Sequence, residues 1–241
     1  MIFGLQTSII LRILRSFVAQ TVFLLPNGKC FDTITMTITG KPQLGYTVCI
    51  QKELAMRVIA GTARGTGLIT PQGIKTRPTG DRMKEDLFNI LTPLIRDALF
   101  LDMYCGSGAI GIEALSRGAK KAIFVDTSKE AIAAVEVNLI KTRLKNRAEV
   151  LHMPAGQALK KLHGQMFDII FMDPPYGDEE FDLSLARIGQ GNFLTEKGIL
   201  VAECPTDAKL PEISKISELI IYRQKKYTQM QFVFYKQSAF A

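Results

Sequence analysis

From residue 99 onward, short apolar segments alternate with segments whose apolar residues recur at helical spacing. The apolar segments are LFLDM, KAIFVD, AEVLHM, FDIIFMD and GILVAEC. Strands that alternate with helices of this length form βαβ units, and their right-handed crossovers produce a parallel sheet. The tail, ELIIYRQKKYTQMQFVFYK, adds two strands joined by a polar turn. The chain is therefore predicted to form an α/β domain with a mostly parallel seven-stranded sheet and helices on both faces.

Two segments precede this α/β domain, which we place at residues 99–241. Residues 56–98 begin with MRVIAGTARGTGLITPQG, which indicates a basic, glycine-punctuated strand pair, and continue with a helix for which Asp81 is the expected N-cap. Residues 1–55 start with an apolar run that two arginines interrupt, so the run is too short for a membrane span. We expect this extension to be either a targeting segment or a stretch upstream of the natural start, with Met56 as the natural first residue.

Charge and cysteine content narrow the classes of function. The formal net charge is +7, which suits an anionic partner but is equally typical of a solubilising surface. The four cysteines form no CxxC pair, which argues against a zinc site or a disulfide framework and for a reducing compartment. The two histidines, His152 and His163, lie in ordinary strand or helix context, so neither a metal site nor a histidine-based acid–base mechanism is expected.

A glycine-rich turn joins the first strand and the first helix of the alternating region. Within LDMYCGSGAIGIEAL, Gly106 and Gly108 allow a sharp turn that brings the backbone close to a ligand, and the following helix offers free N–H groups there. With Gly111 they match G-x-G-x-x-G, a pattern found in dinucleotide sites and in purely structural turns. Because ligands bind at the carboxyl ends of parallel strands, this turn is the predicted cofactor site.

Two carboxylates flank this turn and bear on which cofactor it holds. Asp102 lies at the end of the first strand, and Asp126 ends the second, where a carboxylate can accept hydrogen bonds from both hydroxyls of a ribose. NAD would place its pyrophosphate at the same helix N-terminus, where Asp102 would repel it. S-adenosylmethionine carries an amine and a sulfonium, so it suits a negative site. The pattern favours a methyltransferase over an NAD-dependent oxidoreductase.

The fourth strand ends in Asp173-Pro174-Pro175-Tyr176, the predicted catalytic set, which would lie beside the same crevice. The lone pair of an exocyclic base amine is delocalised into the ring, which makes the amine a poor nucleophile. If the Asp173 carboxylate and the Pro174 carbonyl accept its hydrogen bonds, the lone pair is freed toward the methyl group, and the prolines hold both acceptors in place. Tyr176 can stack on a base swung out of its nucleic acid.

These motifs resemble the class I S-adenosylmethionine-dependent methyltransferases with a (D/N)PP(Y/F) motif, and among them the bacterial RsmD family. The resemblance runs from Met56 to about Lys236 and rests on RVIAGTARGTGL, RPTGDRMKEDLFN, LDMYCGSGAIGIEALSRGA and DPPY. It implies a Rossmann-like fold and methylation of a guanine N2 in 16S ribosomal RNA. It also implies that the cofactor is held by Asp102, Cys105, Gly106, Ser107, Gly108 and Asp126. At Cys105 the family usually has alanine, which is a small change.

The resemblance further implies a cytoplasmic enzyme whose partner is 16S ribosomal RNA or the small-subunit particle, and we expect it to act as a monomer without a metal or a membrane. No acidic residue lies between Arg57 and Gly80, and glycines between the charges let this stretch follow a phosphate backbone. The predicted RNA contacts are Arg57, Arg64, Lys75, Arg77 and Arg82. Of these, Arg77 and Arg82 could instead approach the cofactor crevice. A second basic patch, Arg223, Lys225 and Lys226, is predicted to be plain surface.

Other substrates and other classes of protein fit part of the pattern. Adenine N6 in DNA or a protein glutamine would use the same pocket, but a DNA enzyme normally has an added target-recognition domain, and a glutamine enzyme generally has Asn where Asp173 stands. A non-enzymatic RNA-binding protein would keep the basic stretch and would need neither the glycine turn nor the Asp-Pro-Pro-Tyr motif.

Overall fold

A computed structural model describes residues 21–24, 30–35, 47–50, 56–70, 80–174, 180–208, 210 and 218–238. The chain divides into two compact units, Met1–Leu54 and Ala55–Ala241. In the first unit, strands β1 (Thr21–Leu24), β2 (Cys30–Thr35) and β3 (Thr47–Ile50) form an antiparallel sheet in that order. The sequence has no clear period there, and these strands are not among the predicted elements.

The second unit contains the alternation of strands and helices that the sequence predicts. Its elements in chain order are α1 (Asp81–Ile95), β4 (Leu99–Met103), α2 (Ala109–Ser116), β5 (Lys121–Asp126), α3 (Lys129–Thr142), β6 (Ala148–His152), α4 (Ala155–Lys161), β7 (Phe167–Met172), α5 (Glu180–Gln190), β8 (Leu194–Pro205), β9 (Leu219–Lys226) and β10 (Met230–Gln237). Across the described part of the chain, no helix is long and apolar enough to cross a membrane.

Seven strands of this unit form one sheet in the order β6-β5-β4-β7-β8-β10-β9. The first five of these are parallel to their neighbours, whereas β10 is antiparallel to both β8 and β9. The predicted mostly parallel sheet, closed by a hairpin at its edge, is confirmed. From β4 the chain continues first to β5 and β6 on one side and then to β7 and β8 on the other, and a crevice at such a reversal is where open α/β sheets bind ligands.

Two hydrophobic clusters cover the two faces of the sheet. Along β4, Phe100 packs into one cluster and Leu101 into the other, because successive side chains of a strand point to opposite faces. The Phe100 cluster contains buried side chains of α1, α2 and α3, and the Leu101 cluster contains those of α4 and α5. The helices therefore lie on both faces, and the centre of the sheet is buried on each side, as parallel strands require.

The predicted strand pair in residues 56–70 is reduced to one isolated antiparallel bridge between Arg57 and Gly67. A strand ladder does not extend from this bridge, because the turn between the two segments is tight and packs against α2. Gly61 and Gly65 have φ angles of +84° and +82°. A Cβ atom on Gly61 would also lie 1.9 Å from the carbonyl oxygen of Ser116 in α2, so only glycine lets this turn approach the helix.

Side chains of α2 take the place of a strand partner for this segment. The Glu113 carboxylate accepts hydrogen bonds from the N–H groups of Ile59 and Ala60, at 2.7 and 2.9 Å. The Ser116 hydroxyl accepts one from the N–H of Ala63 at 2.9 Å. Buried backbone donors are thus satisfied without a ladder, which fixes residues 56–70 to α2.

Glu113 is the centre of a buried charge cluster. Its carboxylate is fully buried and lies 2.7 Å from Arg117 Nε and 3.8 Å from Lys84 Nζ. Lys84 also donates a hydrogen bond to the carbonyl of Arg57. Burial lowers the pKa of Lys84, and the negative charge of Glu113 opposes that shift. The cluster therefore joins α1, α2 and residues 56–70.

The predicted N-cap of α1 is wrong by one residue. Gly80 occupies the N-cap position, and no side chain caps the helix. Asp81 is instead the first helical residue, and its carboxylate accepts a hydrogen bond from Arg57 Nε at 2.9 Å. Because this pair is exposed, it contributes little to stability, and the buried cluster around Glu113 carries the attachment.

We expect Glu113→Ala to lower the free energy of unfolding by about 3–5 kcal/mol, because it leaves Lys84 buried without its counter-charge and two backbone N–H groups without an acceptor. Glu149→Ala is the matched control, since it removes one partner of the half-exposed Lys121–Glu149 pair and should cost at most about 1 kcal/mol. Urea unfolding of the native chain and both variants measures these values. Equal losses in the two variants would contradict the role assigned to the buried cluster.

Candidate functional site

Three of the predicted site carboxylates converge at the carboxyl ends of β4, β5 and β7. Asp102 lies in β4, Asp126 ends β5, and Asp173 directly follows β7. The register pairs Met103 with both Val125 and Met172, so the chain leaves the three strands at the same level. Burial raises the pKa of Asp102 well above its ordinary value, and the negative charges of Asp126 and Asp173 raise it further.

Asp102 holds the glycine turn against β4. Its side chain is 1% exposed, and it accepts a hydrogen bond from the N–H of Gly111 at 2.8 Å. Gly111 must lack a side chain here, because a Cβ atom would lie 2.4 Å from the ring of Phe124 and 2.9 Å from Asp102 Oδ2. Asp102 is therefore a buried strand residue that fixes the backbone of the turn.

The two glycines at the start of α2 adopt left-handed conformations. Gly106 has a φ angle of +51°, and Gly108, the N-cap residue of α2, has a φ angle of +73°. The N–H of Gly108 donates to the carbonyl of Cys105 at 2.7 Å, which closes the turn. A Cβ atom on Gly106 would meet nothing within 4 Å, so the backbone is open to a ligand at this position. The sharp turn that the sequence predicts is present.

Asp126 is fixed in place by the backbone on either side of it. One carboxylate oxygen accepts the N–H of Gly106 at 2.9 Å, and the other accepts the N–H of Ser128 at 2.8 Å. The side chain is half-buried, and each oxygen has capacity for a second hydrogen bond. The carboxylate can therefore accept hydrogen bonds from two hydroxyl groups without changing its orientation.

The remaining predicted cofactor contacts, Cys105 and Ser107, are both buried. Burial raises the pKa of the Cys105 thiol well above its ordinary value, and the charges of Asp102 and Asp126 add to the shift, which disfavours the reactive thiolate form. The N–H of Cys105 donates to the carbonyl of Val125 at 3.1 Å, which ties the turn to β5. These two residues shape the backbone of the turn.

The structure places half of the predicted catalytic set. Asp173 is half-buried and Pro174 is buried, directly beyond the last residue of β7. Pro175 and Tyr176 lie outside the described residues. The negative charge of Asp173 also acts on Cys204 in β8, whose pKa rises to about 11 mainly because of burial. Asp173 therefore lies at the end of β7, close enough for its charge to act on Asp102 of β4 and on Cys204 of β8.

The predicted RNA contacts are placed in part. Arg57, Arg64 and Arg82 are exposed, whereas Lys75 and Arg77 lie outside the described residues. Arg82 stands in the first turn of α1, where its charge acts on Tyr227 in the turn between β9 and β10. The patch predicted to be plain surface, Arg223, Lys225 and Lys226, lies on the edge strand β9. No group of three or more His, Cys, Asp or Glu residues in the described ranges could hold a metal ion.

The sequence does not reveal the role of Tyr104. Its φ angle is +60°, a left-handed conformation that costs a non-glycine residue energy and is often found at functional sites. Its hydroxyl forms a hydrogen bond of 2.9 Å with that of Ser184, a buried residue of α5. Tyr104 thus links the glycine turn to the helix that follows the Asp173 motif. A single aromatic side chain at a strand end gives no sequence signal for such a conformation.

Known proteins match the second unit. The family model described as Conserved hypothetical protein 95 matches residues 56–236. A candidate rRNA methyltransferase of Bacillus subtilis (strain 168), YlbH, is 38% identical over 185 residues, which cover 75% of this chain and 98% of that protein. Ribosomal RNA small subunit methyltransferase D of Escherichia coli (strain K12) is 31% identical over 184 residues, covering 76% and 91%. The solved structure of a candidate methyltransferase of Escherichia coli, yhhF, has a TM-score of 0.66 at 30% identity, covering 76% and 98%.

We expect Asp102→Asn to stabilise the free protein at high pH. The amide oxygen can still accept the Gly111 N–H, and the cost of ionising a buried carboxyl group disappears. Because the folded-state pKa of Asp102 is raised, the native chain loses stability relative to the variant as pH rises above the ordinary aspartate value. Thermal unfolding should give similar midpoints near pH 4, and a higher midpoint for the variant by a few degrees at pH 8.

Asp168→Asn is the control for this experiment. Asp168 also accepts a hydrogen bond from a backbone N–H, that of Leu99 at 2.8 Å. It is half-buried and lies near the start of β7, at the end of the strand away from Asp173. This variant should be no more stable than the native chain at any of these pH values. A pH-independent difference between the Asp102→Asn variant and the native chain would show that the buried charge does not destabilise the free protein.

Proposed function

This chain belongs to the RsmD family of class I methyltransferases, and we propose that it methylates the exocyclic N2 of a guanine in small-subunit ribosomal RNA. The methyl donor is S-adenosylmethionine, and the proposed target is guanine 966 of the 16S molecule. The observation that carries the proposal is the convergence of Asp102, Asp126 and Asp173 at one end of the sheet. Such a crevice repels a pyrophosphate and attracts a cation. It therefore favours a sulfonium cofactor over NAD.

The residues at the crevice fit S-adenosylmethionine, which supplies an electrophilic methyl group when bound. Asp126 has a free acceptor position on each oxygen for the hydroxyls of a ribose, and both oxygens are already held by backbone N–H groups. Gly106 leaves open space where a side chain would otherwise stand. Asp102 holds the turn by accepting the Gly111 N–H, and Asp126 and Asp173 supply negative charge beside it. Cys105, Ser107 and Gly108 shape the backbone that would surround the cofactor.

We assign Asp173 and Pro174 to the substrate amine. The Asp173 carboxylate is half-buried at the strand end, where it can accept one hydrogen of an extruded guanine amine, and the Pro174 carbonyl can accept the other. Two accepted hydrogen bonds localise the nitrogen lone pair and direct it away from the acceptors. Because the acceptors are fixed by β7 and by proline, no reorganisation is needed at the moment of transfer. Pro175 and Tyr176 complete the proposed set, with Tyr176 stacking on the base.

The proposed partner is 16S ribosomal RNA or the small-subunit particle, and the enzyme would act on it in the cytoplasm as a monomer. Support comes from the Escherichia coli relative, which is named as a small-subunit ribosomal RNA methyltransferase. Exposed cations on residues 56–70 are suited to phosphate contacts, with Arg64 on the turn as the clearest candidate, since Arg57 is already paired with Asp81.

We expect the chain to transfer tritiated methyl groups from S-adenosylmethionine to small-subunit particles that lack the modification, with N2-methylguanosine as the labelled nucleoside. Asp173→Ala should lower kcat by about 10²–10³-fold while binding of S-adenosylhomocysteine stays within about threefold of native, because the lost acceptor acts on the amine. Asp168→Ala, a change of the same residue type at the other end of β7, should keep kcat close to native. Label in an adenosine, in a protein, or at native rate in the Asp173 variant would refute the proposal.

We expect Arg64→Glu to raise the Michaelis constant for RNA and to reduce the slope of log affinity against log salt concentration by about 1, because a phosphate contact is lost. Arg96→Glu introduces the same charge change at an exposed position beyond the end of α1 and should leave the salt slope unchanged. Filter binding over a range of salt concentrations measures both. Equal slopes for the native chain and the Arg64 variant would assign Arg64 to ordinary surface.

A further inference from the structure

Asn138 in α3 joins two parts of the molecule that the proposed function uses for different ligands. Its side chain is fully buried. Its oxygen accepts the N–H of Ile69 at 2.7 Å, and its nitrogen donates to the carbonyl of Ile69 at 2.9 Å and to the carbonyl of Ser107 at 2.9 Å. One amide group thus bonds the last part of the basic segment and the centre of the glycine turn at the same time.

These contacts explain why a polar side chain is found at position 138. It lies on the buried stripe of α3, among apolar side chains at helical spacing that include Ala134, Val135 and Leu139. An amide costs free energy in such a stripe unless its donors and acceptor are paired. An apolar replacement would in turn leave three backbone groups, two of Ile69 and one of Ser107, without their partner.

The segment that Asn138 holds is attached to the glycine turn at its other end as well. Glu113 accepts hydrogen bonds from two backbone N–H groups of residues 56–70, and Glu113 belongs to α2, the helix whose N-cap is Gly108. Residues 56–70 therefore rest on two helices that surround the turn. A change in the position of the glycine turn would therefore shift residues 56–70 through these hydrogen bonds. Asn138 makes the direct connection, because it bonds both Ser107 and Ile69.

We propose that Asn138 is a positioning residue that couples cofactor binding to RNA binding. When a ligand at the turn restrains the Ser107 carbonyl, the shared amide restrains Ile69 and with it the end of the basic segment that would contact RNA. The RNA-binding conformation is then more populated with the cofactor site filled, and linkage requires the reverse effect to be equally large. The inference rests on the proposed function, because it takes the turn as the cofactor site and residues 56–70 as an RNA contact.

The test measures the dissociation constant for unmodified small-subunit particles with and without saturating S-adenosylhomocysteine. In the native chain the ligand should tighten particle binding by about 5-fold or more. Asn138→Leu should bring this ratio close to one. Asn138→Ser is a second, milder variant, since a hydroxyl cannot bond all three backbone groups, and it should also lower the ratio. Thermal unfolding verifies that each variant is folded.

Thr142→Val is the matched control. Thr142 lies one turn further along α3 and is also buried, but its hydroxyl donates to the carbonyls of Asn138 and Leu139 within the same helix. This variant should be somewhat less stable and should keep the native ratio. A purely structural role of Asn138 would lower stability in all three variants and leave the ratio unchanged.

Two results would overturn the coupling while leaving the proposed function in place. The first is a ratio of one in a native chain that binds both ligands and methylates the particle. The second is a native ratio retained by both Asn138 variants. A native chain that binds neither S-adenosylhomocysteine nor the particle would overturn the proposed function and the coupling together.

Discussion

The parallel pairing of β4 with β5 and β7 is the constraint on which the site depends. It brings the ends of three strands level and so collects Asp102, Asp126 and Asp173 at one end of the sheet. In the free protein this arrangement is unfavourable, because the three carboxylates repel one another and burial opposes ionisation of Asp102. A cationic ligand relieves the repulsion. The same geometry therefore accounts for a cost in the free protein and supports the proposed preference for a sulfonium cofactor over a pyrophosphate.

The attachment of residues 56–70 follows a second principle. These residues do not form a strand ladder. Some of their backbone groups bond to one another, and others bond to the side chains of Glu113, Ser116 and Asn138 on the helices around the glycine turn. Removing one of these buried side chains would leave a backbone group without its partner, which costs free energy. The proposed RNA-contacting segment is thereby held in a fixed relation to the proposed cofactor turn.

Local patterns in the sequence predict the parts of the fold that depend on local physics. The strand and helix alternation, the edge hairpin and the glycine turn are all confirmed, because periodicity and glycine content express them directly. The predictions of a strand pair near Arg57 and of an N-cap at Asp81 are less accurate. Glu113, which is distant in sequence, accepts a backbone N–H of the first segment, and Arg57 binds the Asp81 carboxylate. The left-handed Tyr104 has no sequence signal. Asn138 has one, a polar residue within an apolar helical stripe, but its partners lie elsewhere in the chain.

The most direct measurement is a crystal structure of this chain with S-adenosylhomocysteine. The ribose hydroxyls should lie within hydrogen-bond distance of the Asp126 carboxylate, and the sulfur atom should face Asp173 across a gap that admits one extruded guanine. A ligand bound away from the glycine turn, or a sulfur atom directed away from Asp173, would contradict the account.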